Sequence, residues 1–244
     1  VAIPHAARGL EPLAGAHTCA MLRALALLTL VVALLAGVAR AAGDRLQVVP
    51  DDDVDLLDGV AAYQAHDPAR ALASFKRAAE RNHRTAQFNL AVMYFAGDGV
   101  AADPQVGLRW LRKAADNGMP RAQHALALLY DRGEHVEKSV SEATAWYRKA
   151  AEQGWRDAQV NLATQYFLGR GAARDYREAA LWYERAAEQG DEAACYIVAS
   201  MYEKGDGVAR DLPLAYYWYS QAAAFGDRAA AIKAREVLER LRAR

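Results

Sequence analysis

Trp110, Trp146, Trp182 and Trp218 stand 36 residues apart, and Tyr94, Tyr130, Tyr166 and Tyr202 keep the same interval. A fixed period of this length belongs to a solenoid, in which each unit is too small to bury its own apolar face and completes its core against a neighbour. The repeat constrains the fold more tightly than any single motif, and leaves function to be argued from the repeat surface.

Four full units follow one another without insertion or deletion, at residues 85–120, 121–156, 157–192 and 193–228. Each opens with apolar residues four apart: Ala86, Leu90, Tyr94; Ala122, Leu126, Tyr130; Ala158, Leu162, Tyr166; Ala194, Val198, Tyr202. That spacing lines one face of a helix. Glycines follow at Gly97 and Gly99, Gly169 and Gly171, Gly205 and Gly207, where a helix ends and the chain turns back. Asp103, Asp175 and Asp211 then stand where a second helix should begin, and are read as N-caps. The second helix carries Trp146-Tyr147, Trp182-Tyr183 and Trp218-Tyr219, followed by Ala150-Ala151, Ala186-Ala187 and Ala222-Ala223, and a closing Gly154, Gly190 or Gly226. Large rings facing small alanines let neighbouring helices approach closely, which places the tryptophans inside the stack.

The recurring pattern, A-x-x-x-L-x-x-x-Y-x-x-G-x-G-V-x-x-D-x-x-x-A-x-x-W-Y-x-x-A-A-E-x-G, closely resembles the Sel-like repeat, a branch of the tetratricopeptide superfamily. The resemblance implies an all-α fold, a right-handed superhelical solenoid of antiparallel helix pairs that serves as a scaffold for protein assembly. Residues 55–84 look like an atypical first unit, with Tyr63 at the tyrosine position, Asp67 at the cap and Ser74-Phe75 replacing Trp-Tyr; five residues are missing from its inter-helix loop. At the other end, residues 229–244 set Ala234, Val237, Leu238 and Leu241 on one stripe and charged side chains mostly on the other. A capping helix with a polar outer face closes an open solenoid end.

The N-terminal part is organised differently. Residues 21–43 combine Arg23, an apolar run from Ala24 to Gly37 and small residues at Ala39 and Ala41, the pattern of a secretory signal peptide over residues 21–41. Those 14 residues fall short of the roughly 20 that span a bilayer as a helix, so cleavage after Ala41 and a periplasmic or secreted location are expected, with no stable membrane insertion afterwards. Residues 1–20 read as an over-extended start or a non-native leader, and residues 42–54 as a linker. Cys195 is then the single mature thiol, in a small-residue context that suggests packing.

Charge and motif content narrow the function classes. Thirty basic and 30 acidic residues offer no global field for nucleic acid, and residues 42–244 keep 27 and 29. There is no G-x-S-x-G elbow and no H-E-x-x-H helix. His66, His83, His124 and His135 are all more than four residues apart, so zinc-ligand spacing is absent. The glycine pairs follow a helix, whereas a phosphate-cradling loop follows a strand. Glu134-His135, in an irregular second-unit loop, reads as a solvated loop because a catalytic pair needs a pocket and an orienting group. Arg109, Arg112, Lys113, Arg148 and Lys149 read as a solvated outer face. No catalytic residue, cofactor or metal is expected.

By the family's geometry, a partner lies in the concave groove lined by first helices. Register from the repeat Leu and Tyr puts Phe88, His124, Val160 and Tyr196 in one groove row, with Asn89, Asn161 and Thr164 alongside and Phe95 and Phe167 a turn further on. Apolar side chains on a free surface point to a binding partner; the competing account is self-packing of a tightly curved array. Tyr216-Tyr217 form a second candidate surface. The expected protein is a monomeric, non-catalytic scaffold or adaptor of the bacterial cell envelope that holds a protein or peptide. The resemblance leaves two alternatives. One is a β-lactam-binding or hydrolysing envelope enzyme, whose family members carry a cysteine pair in each repeat that this chain lacks. The other is a periplasmic regulator of a sensor kinase or exopolysaccharide system.

Overall fold

The computed structural model describes residues 53–243, which contain eleven α-helices and, among the described residues, no strand. The helices are α1 (Val54–Gln64), α2 (Pro68–Glu80), α3 (Arg84–Ala96), α4 (Pro104–Asp116), α5 (Pro120–Arg132), α6 (Val140–Glu152), α7 (Arg156–Leu168), α8 (Tyr176–Glu188), α9 (Glu192–Lys204), α10 (Leu212–Ala224) and α11 (Arg228–Arg242). The main helix–helix contacts all join neighbours in the chain, as an all-α solenoid requires. The expected leader and signal peptide, and nearly all of the expected linker, lie outside the described residues. Of that linker, Asp53 caps α1 and Val54 is already helical.

Local chemistry sets the helix ends. Asp103 Oδ1 accepts from the amides of Gln105 and Val106 at 3.0 Å each, Asp175 from Arg177 and Glu178 at 2.9 and 3.1 Å, and Asp211 from Leu214 at 2.9 Å. Ser139 does the same work in the second unit, accepting from Glu142 at 3.3 Å. These caps satisfy first-turn donors that have no partner inside the helix. The backbone N–H of each cap residue also donates to the carbonyl of the repeat tyrosine: Asp103 to Tyr94, Ser139 to Tyr130, Asp175 to Tyr166 and Asp211 to Tyr202, at 2.9–3.0 Å. Cap and tyrosine together therefore close the loop between paired helices.

Gly207 shows why the second loop glycine is required. Its φ is +74°, and a Cβ there would lie 2.2 Å from the backbone carbonyl of Tyr176, at the start of the preceding unit's second helix. His135 replaces this glycine in the second unit and still adopts φ +60°. Its ring lies 5.5 Å from that of Phe95.

The core is a set of alanine columns. Ala86, Ala122, Ala158 and Ala194 are fully buried, as are Ala114, Ala150, Ala186 and Ala222 on the second helices. The aromatic arrangement differs from the sequence expectation. Tyr147, Tyr183 and Tyr219 are the deeper rings, 1–3% exposed. Trp182 and Trp218 are buried too, but Trp110 and Trp146 are only half-buried. The tryptophans lie toward the outer edge, where Lys113, Lys149 and Arg185 sit over Trp110, Trp146 and Trp182 at 4.3, 3.7 and 4.5 Å from the ring centroids. The solvated cations of the outer face thus also cover the indoles.

A polar ladder runs through this apolar stack. Gln87, Gln123 and Gln159 are buried, one period apart. Their Nε2 atoms donate to the carbonyls of Ala79, Ala115 and Ala151, at 3.2, 3.0 and 3.3 Å, in the last turn of the preceding helix. Their Oε1 atoms accept from the side-chain amides of Asn117, Gln153 and Gln189, at 2.8, 2.8 and 2.7 Å, one helix further on. One side chain so fastens three successive helices, and its amide is a second donor to a helix-end carbonyl that already accepts a backbone N–H from the turn that follows. Cys195 takes the fourth place, with only an Sγ–Ala187 carbonyl contact at 3.8 Å; it is 1% exposed and its thiol pKa is raised by burial, as the packing reading expected.

The two ends depart from the period. In the first unit, buried Ser74 donates to Asp58 at 2.6 Å, and Arg70, Arg77 and Arg81 pair with Asp58, Asp55 and Asp53. Gly59 leaves room for Phe75, whose ring a Cβ would meet at 2.6 Å. At the far end, α11 buries Ala234 and Val237 and exposes Arg235, Glu236, Glu239 and Arg242, the polar-backed cap the terminal stripe predicts.

Trp182→Ala should destabilise by about 3–5 kcal/mol in a denaturant titration, as buried aromatic truncations do. Trp155→Ala, removing a half-buried residue at the N-cap of α7, should cost clearly less; equal losses would contradict the packing assigned to Trp182. Gln159→Ala should cost about 1–3 kcal/mol by removing its two bonds, to the Ala151 carbonyl and from the Gln189 amide, read as a lower denaturation midpoint with an unchanged slope.

Candidate interaction surface

The row read as a groove divides in two. Phe88, Phe95 and His124 are 4%, 5% and 7% exposed, which corrects their assignment as surface lining: the array takes them up in its own packing. The Arg121 guanidinium covers the Phe88 ring at 5.2 Å from its centroid. The His124 ring lies 5.7 Å from Tyr147 and 6.4 Å from Trp155. Asn89, Val160, Asn161, Thr164, Phe167 and Tyr196 stay partly exposed. They too lean on neighbours: Thr164 Oγ1 is 2.9 Å from the Tyr183 hydroxyl, Phe167 meets Tyr176 edge-on at 5.2 Å, and Tyr196 meets Tyr219 edge-on at 5.2 Å.

Asn161 and His124, placed in the groove from separate units, form a direct bond of 3.0 Å between Nδ2 and Nε2. The amide nitrogen can only donate, so Nε2 accepts and the ring is neutral. Burial pushes the His124 pKa down to about 4, with Asp157 opposing the shift and Arg132 adding to it.

A row of tyrosine hydroxyls joins consecutive units alongside. Arg112 donates to Tyr130 at 3.0 Å, Arg148 donates to Tyr166 at 2.5 Å, and the Tyr202 hydroxyl donates to Glu184 at 3.0 Å. Burial, the bond to Glu184 and that residue's negative charge push the Tyr202 pKa up to about 12.

The last unit holds a cleft of about 520 Å³, lined by Tyr196, Ser200, Glu203, Lys204, Arg210, Tyr219, Lys233 and Arg240. It brings α9 and α10 together with the capping helix α11. Of these residues the groove assignment included only Tyr196. Among the others, Glu203 stands where earlier units have Phe95, Asp131 and Phe167, and Ser200 where they have Val92, Leu128 and Thr164, so the period alone did not mark the cleft. What sequence spacing could not supply is that α11 folds back far enough to bring Lys233 and Arg240 to the same cleft. Of the second candidate surface, Tyr217 is 48% exposed and Tyr216 half-buried.

Paired helices, capped loops and a covered end define the class as a helical-repeat scaffold. The Sel1 repeat model matches residues 56–83, 85–119, 120–155, 156–191 and 192–227, and the chain belongs to the Sel1 repeat family. The atypical first unit is thus matched along with the four regular ones. Two solved structures are similar. One is a Sel1 repeat protein from Oxalobacter formigenes, 33% identical over 74% of each chain with a TM-score of 0.68. The other is a protective antigen present in uropathogenic Escherichia coli strains, displaying an SLR fold, 34% identical over 75% of this chain with a TM-score of 0.67. The match spans 40% of the length of that antigen. No curated protein matches the chain. Sel1 repeat proteins are generally protein-interaction scaffolds and typically non-catalytic. No helix among the described residues is long and apolar enough to cross a membrane.

The His124 environment predicts acid sensitivity. Its folded pKa, about 4, lies below the ordinary 6.5, so the unfolded chain binds the proton more readily. The contribution is fully present above pH about 6.5 and is lost as pH falls toward 4, to a total of about 3 kcal/mol. Urea titrations at pH 7 and pH 4 should show this loss in the wild type and a smaller one in His124→Gln; equal losses would contradict it.

Proposed function

We propose that the chain is a monomeric, non-catalytic scaffold of the bacterial cell envelope, holding a protein or peptide along the face that carries Asn89, Val160, Asn161, Thr164, Phe167 and Tyr196. The observation that carries this reading is the partial exposure of these side chains at corresponding first-helix positions whose chemistry changes from unit to unit. A rigid array presenting them would lose little entropy on binding. The envelope location rests on the pattern of residues 21–41 alone.

A photo-crosslinking residue at Val160 should capture a defined partner in cells, while the same residue at exposed Leu181 on a second helix should not. Val160→Asp should abolish that capture and leave the melting midpoint within about 2 °C of wild type. Equal adducts from both sites, or full capture by a normally folded Val160→Asp variant, would overturn the groove assignment.

A further inference from the structure

The cleft of the last unit gathers more positive than negative side chains. Four of its lining residues are cations, Lys204, Arg210, Lys233 and Arg240, against one carboxylate, Glu203. That carboxylate is already committed: its Oε1 is paired with Arg240, and its Oε2 accepts from the Tyr219 hydroxyl at 3.0 Å. Lys233 is shared with Glu236 at 2.7 Å. Arg210 uses its Nε to hold the Glu203 backbone carbonyl at 3.0 Å, and neither Arg210 nor Lys204 has an acidic partner among the described residues. Positive charge therefore remains uncompensated in a chain whose totals balance.

The corresponding sites in other units carry Ala96, Arg132 and Leu168 for Lys204, and Ala102, Lys138 and Arg174 for Arg210, so basic side chains recur there; what sets the last unit apart is that Lys233 and Arg240 of α11 join them in one cleft. The neighbouring surface is suited to a ligand with an apolar part. Tyr196 and Tyr219 form an edge-on pair, and Ser200 supplies a hydroxyl beside them. A volume of about 520 Å³ has the size of a small-ligand or side-chain site.

We propose that this cleft binds the carboxylates of an acidic peptide segment, with Lys204 and Arg210 taking the carboxylate and Tyr196 packing against the adjoining side chain. The proposal rests on the scaffold reading and gives the partner its chemistry. Charge-assisted bonds to a carboxylate are the strong class of hydrogen bond, and arginine can make two at once.

The test uses the full-length protein and a fluorescent probe, an acetylated and amidated hexapeptide with two glutamates flanking a tyrosine, followed by fluorescence anisotropy. The probe should bind, and Lys204→Ala with Arg210→Ala should weaken it at least about tenfold with an unchanged melting midpoint. The glutamine version should bind at least about tenfold more weakly than the glutamate peptide. Equal affinity of the two peptides, unaltered binding by the double variant, or displacement by inorganic phosphate at the same concentration as by free glutamate peptide would overturn the assignment. Should the probe fail while crosslinking at Val160 still captures a partner, the acidic ligand is wrong and the scaffold stands.

Discussion

No helix pair in this chain can cover its own apolar face. Two helices of 13 residues, such as α7 and α8, leave a stripe that only another pair can shield, and the alanine columns are the surface along which they meet. Small side chains at Ala150, Ala186 and Ala222 bring helices close enough for the Tyr147, Tyr183 and Tyr219 rings to fill the space between them. The buried glutamines add direction to this contact. Hydrophobic burial is indifferent to a small slide of one helix along another, whereas Gln123 must meet both the Ala115 carbonyl and the Gln153 amide, and this fixes the register of three helices at once.

The ends of the array face the opposite problem, since each has an apolar side without a neighbour. The first unit meets it with a shortened loop, Phe75 over Gly59 and arginine–aspartate pairs along the rim. The last meets it with α11. That helix does more than bury Val237 against the array: it carries Lys233 and Arg240 to the first-helix face, so a solution to an end problem also creates a concave, charge-rich cleft.

Most of the fold was legible in the sequence because it is periodic: the caps, the helix pairs, the alanines and the terminal helix each recur or close the period. The tryptophans were read too deep, because a 36-residue interval says that a ring is structural and does not say which of two adjacent rings points inward. The glutamine ladder escaped notice because a polar residue in a helix ordinarily signals solvent, and its partners are a backbone carbonyl and a side chain 30 residues away. The candidate surface was half legible. Helical register located the row, but the curvature that buries Phe88, Phe95 and His124 while leaving Val160 and Tyr196 partly open is a property of several units acting together. The end cleft depends on a turn of the chain that no repeat position encodes.

The contacts that hold the array together are almost all made between one helix and the next. Every interior seam is therefore nearly the same seam, with the same tyrosine, the same alanines and the same loop closure. A unit could be duplicated or lost without rebuilding the rest, provided the two ends survived. Length then becomes an adjustable dimension that sets how far the molecule reaches, while chemical individuality collects where copying cannot dilute it, at the terminal unit and its cap.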